Sequence, residues 1–255
     1  MKRRLWLIIP LALLVAGGGA YFAYRAGAEP QAEAQTHTVV AKHVGKTVQA
    51  QLATRQSTSD LTALRSALEA QLPGVKVPKV NPFGDGVTVH SRAVGSVANY
   101  TLYLDRHAAH AGTRAELALK KQTPTSTAAA QTAARTLAYR GVDATKTKVA
   151  LGNNLTGVTD TEAGHATVVW HQGLFSITVQ APKADPTPAT ELARNVVSVL
   201  AANPLPRPAT HGAIVLHVTD GAKRQNTVRW RETSAYYTIS GTNPMATLRL
   251  AFGVR

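Results

Sequence analysis

Apolar and polar positions alternate most clearly in the middle of the chain. Tyr100, Leu102 and Leu104 alternate with polar neighbours, and Ala115, Leu117 and Leu119 repeat the pattern. A two-residue period marks half-buried antiparallel strands, and with GVTVHSR just upstream these segments predict a three-strand meander. The period changes in TSDLTALRSALEAQL, where Leu61, Leu64, Leu68 and Leu72 share one helical face. Thr58, Ser59 or Asp60 can cap that helix, and Pro73-Gly74 ends it. Downstream, RHAAHAGTR predicts a long hairpin loop and TPTSTAAAQTAARTLAYRG a surface helix ending at Gly141.

Two later stretches repeat one plan, ATVVWHQGLFSITVQ and TVRWRETSAYYTISGTNP. In the first, Ala166, Val168 and Trp170 share a face, and Phe175, Ile177 and Val179 share one after the break. In the second, Val228 and Trp230 are followed by Tyr237 and Ile239. Each predicts a hairpin with Trp on its apolar side just before the turn. A helix follows each hairpin. The first runs from about Thr187 with Pro188 in its first turn and Leu192, Val196, Val197 and Leu200 inward; the second has Asn243 as cap, Pro244 as start, and Leu248 and Phe252 inward. The strand preceding each hairpin is expected in TKVALG and GAIVLHV.

These patterns predict an α+β fold in which a curved antiparallel sheet packs on helices and is built partly from a duplicated strand-hairpin-helix unit. The expected divisions are 1–25 as membrane anchor or signal segment, 26–55 as tether and weakly structured lead-in, 56–206 as an α+β domain, and 207–255 as the second copy, in the same sheet or set apart at PLPRP. Within the lead-in, a strand or helix over Val39 to Leu52 is expected.

The N-terminus decides placement. Lys2, Arg3 and Arg4 precede an uncharged stretch from Leu5 to Tyr24, whose helical length of about 30 Å matches a bilayer core. The charge asymmetry against Arg25 predicts a single-pass transmembrane helix with a cytoplasmic N-terminus and an extracytoplasmic body. Cleavage near Ala28 and secretion is the alternative, because Ala26-Gly27-Ala28 fits a signal-peptidase site. The chain has no Cys, which removes disulfides, thiolate ligands and a lipid-modified N-terminal Cys. Its 28 Lys and Arg outnumber 14 acids, so anionic lipid or wall polymer is an expected partner, alongside other envelope proteins. The basic residues are scattered and no nucleic-acid-binding signature occurs, so nucleic acid is not expected.

The order of anchor, helix, proline-rich turn, antiparallel strands, Trp hairpin and terminal helix resembles the anchored extracytoplasmic domains of Gram-positive bacteria related to lipoprotein-carrier proteins. The residues that carry the likeness are Val228, Trp230, Tyr236, Tyr237, Ile239 and the helix from Pro244, echoed by Trp170 to Val179. The resemblance implies a curved sheet around helices with an apolar concavity, in which Trp170, Phe175, Trp230 and Tyr237 would face an apolar ligand. Helices that fill the concavity would make the same four residues core and leave only a shallow groove.

Candidate chemistry is sparse. Asp105, His107 and His110, with Glu116 downstream, are residue types that ligate zinc, and a metal-dependent hydrolase using that loop is one alternative. Asp160 and Glu162 in TDTEAGH are expected on a turn. No G-x-S-x-G, S-x-x-K, P-loop or Rossmann pattern occurs, and no cofactor is expected. The leading expectation is a non-catalytic, membrane-tethered binding or scaffolding module of the bacterial cell envelope; the other alternative is a carrier or sensor of an apolar or anionic envelope ligand.

Overall fold

The computed structural model describes residues 54–58, 60–108, 114–135, 137–162, 164–219 and 223–254. The expected membrane segment Leu5 to Tyr24, the strand or helix over Val39 to Leu52, and His110 lie outside the described residues. Among the described residues no helix is long and apolar enough to cross a membrane.

The chain begins with β1 (Thr54–Thr58) and α1 (Leu61–Gln71), then the meander β2 (Val89–Gly95), β3 (Tyr100–Asp105) and β4 (Leu117–Gln122). Asp60 caps α1 by accepting from Thr62 N at 2.7 Å, and Leu64 and Leu68 bury its apolar face. The helix α2 (Thr127–Arg135) stops short of the expected Gly141. It buries no side chain that could hold further turns, and Ala138 turns to φ 56° just beyond it.

The second half runs β5 (Thr147–Gly152), β6 (Leu155–Glu162), β7 (His165–Gln172), β8 (Phe175–Ala181) and α3 (Thr187–Ala202), then β9 (Gly212–His217), β10 (Asn226–Glu232), β11 (Ala235–Gly241) and α4 (Pro244–Gly253). The fold is α+β: strands β2 to β11 form one mostly antiparallel sheet, with β1 added at its edge, in the order β1-β2-β3-β4-β11-β10-β9-β8-β7-β6-β5. Among the described strands only β8 and β9, joined through α3, pair in parallel. The strands after PLPRP therefore continue the sheet, with β9 on β8 and β11 on β4.

Two expectations need correction. The strand beside the first hairpin is β6, not TKVALG, which forms β5 one place further out. Asp160 and Glu162 are not on a turn: they pair with Thr167 and His165 in the β6–β7 ladder. The ladder's backbone hydrogen bonds outweigh the weak strand preference of Asp and Glu.

The two Trp hairpins share one register. Adding sixty to any paired residue of β7–β8 gives the paired residue of β10–β11, so that Trp170 opposite Ile177 corresponds to Trp230 opposite Tyr237. One buried row crosses eight strands: Ala93, Leu102, Leu119, Ile239, Val228, Ile214, Ile177 and Trp170. This row joins Leu64 and Leu68 of α1, Ala193 and Val196 of α3, and Leu248 and Ala251 of α4 in a single apolar cluster. The helices cover this face of the sheet, as its continuous apolar rows require.

Candidate functional site

The four aromatic residues expected to face an apolar ligand lie in that core. Trp170 and Trp230 are wholly buried, and Phe175 and Tyr237 nearly so. Trp230 stacks on Tyr237 with ring centroids 5.0 Å apart, and its indole N–H donates to Glu232 Oε1 at 2.8 Å. Lys76, from the segment after α1, closes over this pair. Its ammonium lies 5.3 Å from the Tyr237 ring and 3.2 Å from Glu232, while its backbone N–H donates to Tyr100 Oη at 2.9 Å. Burial pushes the Tyr100 phenol up to about 12 against that hydrogen bond, and burial raises the Tyr237 phenol too, assisted by Tyr100 and Glu232. Of the four aromatics, Phe175 alone borders the cavity of about 440 Å³ beside the β7–β8 turn, together with Leu174, Leu200, Leu205 and Pro206.

The loop residues expected to bind metal are not assembled into a site. Asp105 Oδ1 accepts from Glu116 N at 2.7 Å, and Glu116 pairs with Arg106 at 2.7 Å. Burial raises the Asp105 carboxyl above its usual value, opposed by that hydrogen bond. His107 is exposed, and His110 lies outside the described residues. Among the described residues no group of three His, Cys, Asp or Glu side chains is placed to hold a metal ion.

The more informative chemistry lies on the opposite face of the sheet. Because side chains alternate, the partly exposed positions of each strand share a face with those of its neighbours. The register strings them into rows. One reads Arg92, Tyr103, Ala118, Ser240, Thr227 across β2, β3, β4, β11 and β10. The next reads Val94, Thr101, Lys120, Thr238, Arg229 across the same strands. A cation therefore stands on every second strand (Arg92 on β2, Lys120 on β4, Arg229 on β10), and the strands between carry hydroxyls. Neither row holds a carboxylate.

Neighbouring groups fix this face. The Arg92 guanidinium lies 4.4 Å from the centroid of the Tyr103 ring, and that of Arg224 lies 5.8 Å from it. Arg224 also donates from Nη1 to Ala115 O at 2.7 Å. Towards the other end of the strands, Tyr236 Oη donates to Ala130 O of α2 at 3.2 Å, and Arg231 lies over the Tyr236 ring. Arg140 N donates to Ser176 Oγ at 3.0 Å, so the connection from α2 to β5 crosses this face and shields its far side. Carboxylates on the face sit outside the two rows: Asp105 and Glu116 are engaged as described, and Asp160 contacts Lys146 at 3.1 Å and Arg140 at 3.8 Å.

Sequence reasoning found the excess of basic residues but placed none of them together, because Arg229 is distant in the chain from Arg92 and Lys120 and only the strand order brings its strand beside theirs. The alternation within ANYTLYLD and RWRETSAYYT does mark Thr101, Tyr103, Arg229 and Thr238 as outward positions. No protein-family model, no curated protein and no solved structure matches the chain.

Proposed function

We propose that the protein is a non-catalytic, membrane-tethered extracytoplasmic module of a cell envelope that binds an anionic ligand on the face of its sheet opposite α1, α3 and α4. The observation that carries this reading is the pair of carboxylate-free rows with Arg92, Lys120 and Arg229 on alternate strands. Clustered cations on one face raise the local concentration of anions and speed their encounter. Lys120 is exposed, and Arg92 and Arg229 are partly so. Placement outside the cytoplasm rests on Lys2, Arg3 and Arg4 ahead of Leu5 to Tyr24. We also propose that the two hairpin-helix units derive from one duplicated segment, a reading supported by their common register.

Binding is tested with the full chain in detergent micelles against a soluble polyanion such as polyglutamate or a polyol phosphate. The wild type should bind at low salt, and the Lys120→Glu, Arg92→Glu double variant should lose most of that affinity while keeping its melting temperature. Failure to bind any polyanion at low salt sinks the proposal. Placement has its own test. The chain lacks Cys, so a single Cys at Thr125 should react with a membrane-impermeant maleimide in intact cells, and labelling only after lysis would place the body on the other side.

A further inference from the structure

We infer that one end of the sheet, the end bearing the β2–β3, β7–β8 and β10–β11 turns, docks on an anionic bilayer surface. The inference rests on the proposed membrane tether and is independent of the cationic rows, which lie on a face of the sheet and not at this end.

The register brings these turns together. Tyr100 lies opposite Lys121, Lys121 opposite Tyr237, Tyr237 opposite Trp230, Trp230 opposite Gly212, and Gly212 opposite Phe175. That line runs along one end of the sheet, just inside residues 96–99, 173–174 and 233–234. Singly exposed apolar side chains are ordinary on a protein surface. Here three of the four large ones among the described residues, Val97, Leu174 and Tyr139, gather at this end, Tyr139 through its ring contacts to His171 and His211. Hydrogen bonds pin the two aliphatic tips while their side chains stay outside: Leu174 O accepts from Gly212 N at 2.9 Å, and Val97 O accepts from Lys121 Nζ at 2.8 Å. Such tips suit a bilayer interface, where aliphatic groups enter and a Tyr ring sits at headgroup level.

Charge at this end favours an anionic surface. Residues 96–99, 153–154, 173–174, 203–211 and 233–234, which connect its elements, contain no carboxylate. Arg207 is exposed and enters no ion pair among the described residues. Arg231 donates from Nε to Thr233 O at 2.7 Å, which holds a second guanidinium beside the β10–β11 turn. The carboxylates towards this end are Glu232, paired with Lys76 at 3.2 Å, and Glu69 in the last turn of α1. Asp60, Asp105, Glu116 and Asp185 stand at the opposite end. Cations facing anionic headgroups add an attraction that salt weakens.

The chain also enters the body by this end. Thr54 lies opposite Ala93 and Thr58 opposite Val89, so β1 runs away from the β2–β3 turn. The expected anchor Leu5 to Tyr24 therefore leads, through residues 25–53, into the end that carries Val97 and Leu174. Tethering turns contact with the bilayer into an intramolecular event, for which a few weak contacts suffice. It gives lipid a higher effective concentration at Leu174 than an untethered protein partner would have.

The test reconstitutes the full chain in phosphatidylcholine vesicles with or without phosphatidylglycerol. Because the chain has no Cys, Leu174→Cys, Val97→Cys and, at the opposite end, Ala184→Cys each accept one small fluorophore, and lipids with nitroxide-labelled acyl chains serve as quencher. With phosphatidylglycerol present, quenching should be several-fold stronger at positions 174 and 97 than at 184, and high salt should weaken it. Arg207→Gln should reduce quenching at 174 only when phosphatidylglycerol is present. Leu174→Ser should reduce quenching at 97 while the melting temperature stays unchanged. Equal quenching at 174 and 184, or quenching that ignores phosphatidylglycerol, overturns the inference and leaves the tether reading intact. So does a label at 174 that is shielded from water yet unquenched by lipid, because another protein then covers it. A chain that does not float with the vesicles removes the tether and the inference together.

Discussion

The two Trp hairpins have the same backbone pairing and different chemistry beneath it. In β7–β8, Trp170 lies opposite Ile177, and its indole N–H reaches Gln172 at 3.5 Å. In β10–β11, Trp230 lies against Tyr237, and its N–H donates at 2.8 Å to Glu232, which in turn pairs with Lys76. In the first unit the indole has only this long contact to Gln172 within its own strand. The second adds a polar chain from the sheet to the segment after α1, and so ties the C-terminal hairpin to the N-terminal part of the fold. Each unit opposes its Trp row with a small residue: Gly212 faces Trp230, and Gly157 lies one step beyond the Val158–Val169 pair.

Truncating the indoles gives the largest expected effect. Trp170→Ala and Trp230→Ala should each cost about 3 to 5 kcal/mol in urea unfolding, as removal of a buried aromatic does. Trp230→Ala should cost about 1 kcal/mol more, because it also removes a hydrogen bond to a carboxylate and an aromatic stack. Equal losses would erase the contrast between the units.

The glycines come next. A Cβ on Gly212 would overlap the Phe175 ring, whereas one on Gly157 would meet the Leu151 and Val168 side chains at 3.0 and 3.1 Å. Gly212→Ala should therefore destabilise by about 1 to 3 kcal/mol through overpacking, and Gly157→Ala by less, since two aliphatic side chains can shift. The reverse order would show that Phe175 has room to move and that the first hairpin is the tighter.

The Lys76–Glu232 link is a smaller matter. Its side chains are 23% and 30% exposed, so Glu232→Gln, which keeps an acceptor for Trp230, should cost under about 1 kcal/mol, and less at high salt. A loss that salt does not reduce would place the value of Glu232 in its hydrogen bond to Trp230.

At neutral pH the smallest effect belongs to Tyr237→Phe, which preserves the ring stack. The folded protein holds the Tyr237 phenol above its ordinary value of 10.0, so the neutral form is favoured in the fold. Its stability contribution is complete below pH 10 and is lost as pH rises towards the folded value. The variant should match wild type at pH 7 and lose less stability above pH 10. Identical alkaline profiles would mean that Tyr237 does not couple to folding, and that the second unit differs from the first only through Glu232 and Lys76.

Much of the helix-covered face was legible from period alone. Tyr100, Leu102 and Leu104 are buried as the alternation predicts, as are Leu64, Leu68 and Leu72 on the helix. Strand β6 is hard to see because LTGVTDTE has no alternation and only Leu155 and Val158 as apolar members; its position follows from pairing with β7. Strand β1, TRQST, has no apolar member, and its pairing with β2 could not be seen in the sequence. The cationic rows were hidden for a different reason. Their members belong to strands remote in the chain, and the joining of β4 to β11 brings Lys120 and Arg229 within two strands of each other.

That same junction governs how the chain reaches its fold. Strand β4 ends at Gln122 and its partner β11 begins at Ala235, so the meander β2–β3–β4 exposes a row of unpaired backbone groups until more than a hundred further residues have been made. An open edge with Leu117 and Leu119 on it invites pairing with another chain. Formation of the β4–β11 ladder is a closure over long sequence separation, which slows folding and is expected to make docking of the C-terminal hairpin on β4 a late step. In a cell, the hazard of this architecture is therefore one of timing: while the half-made chain waits for β11, association competes with folding.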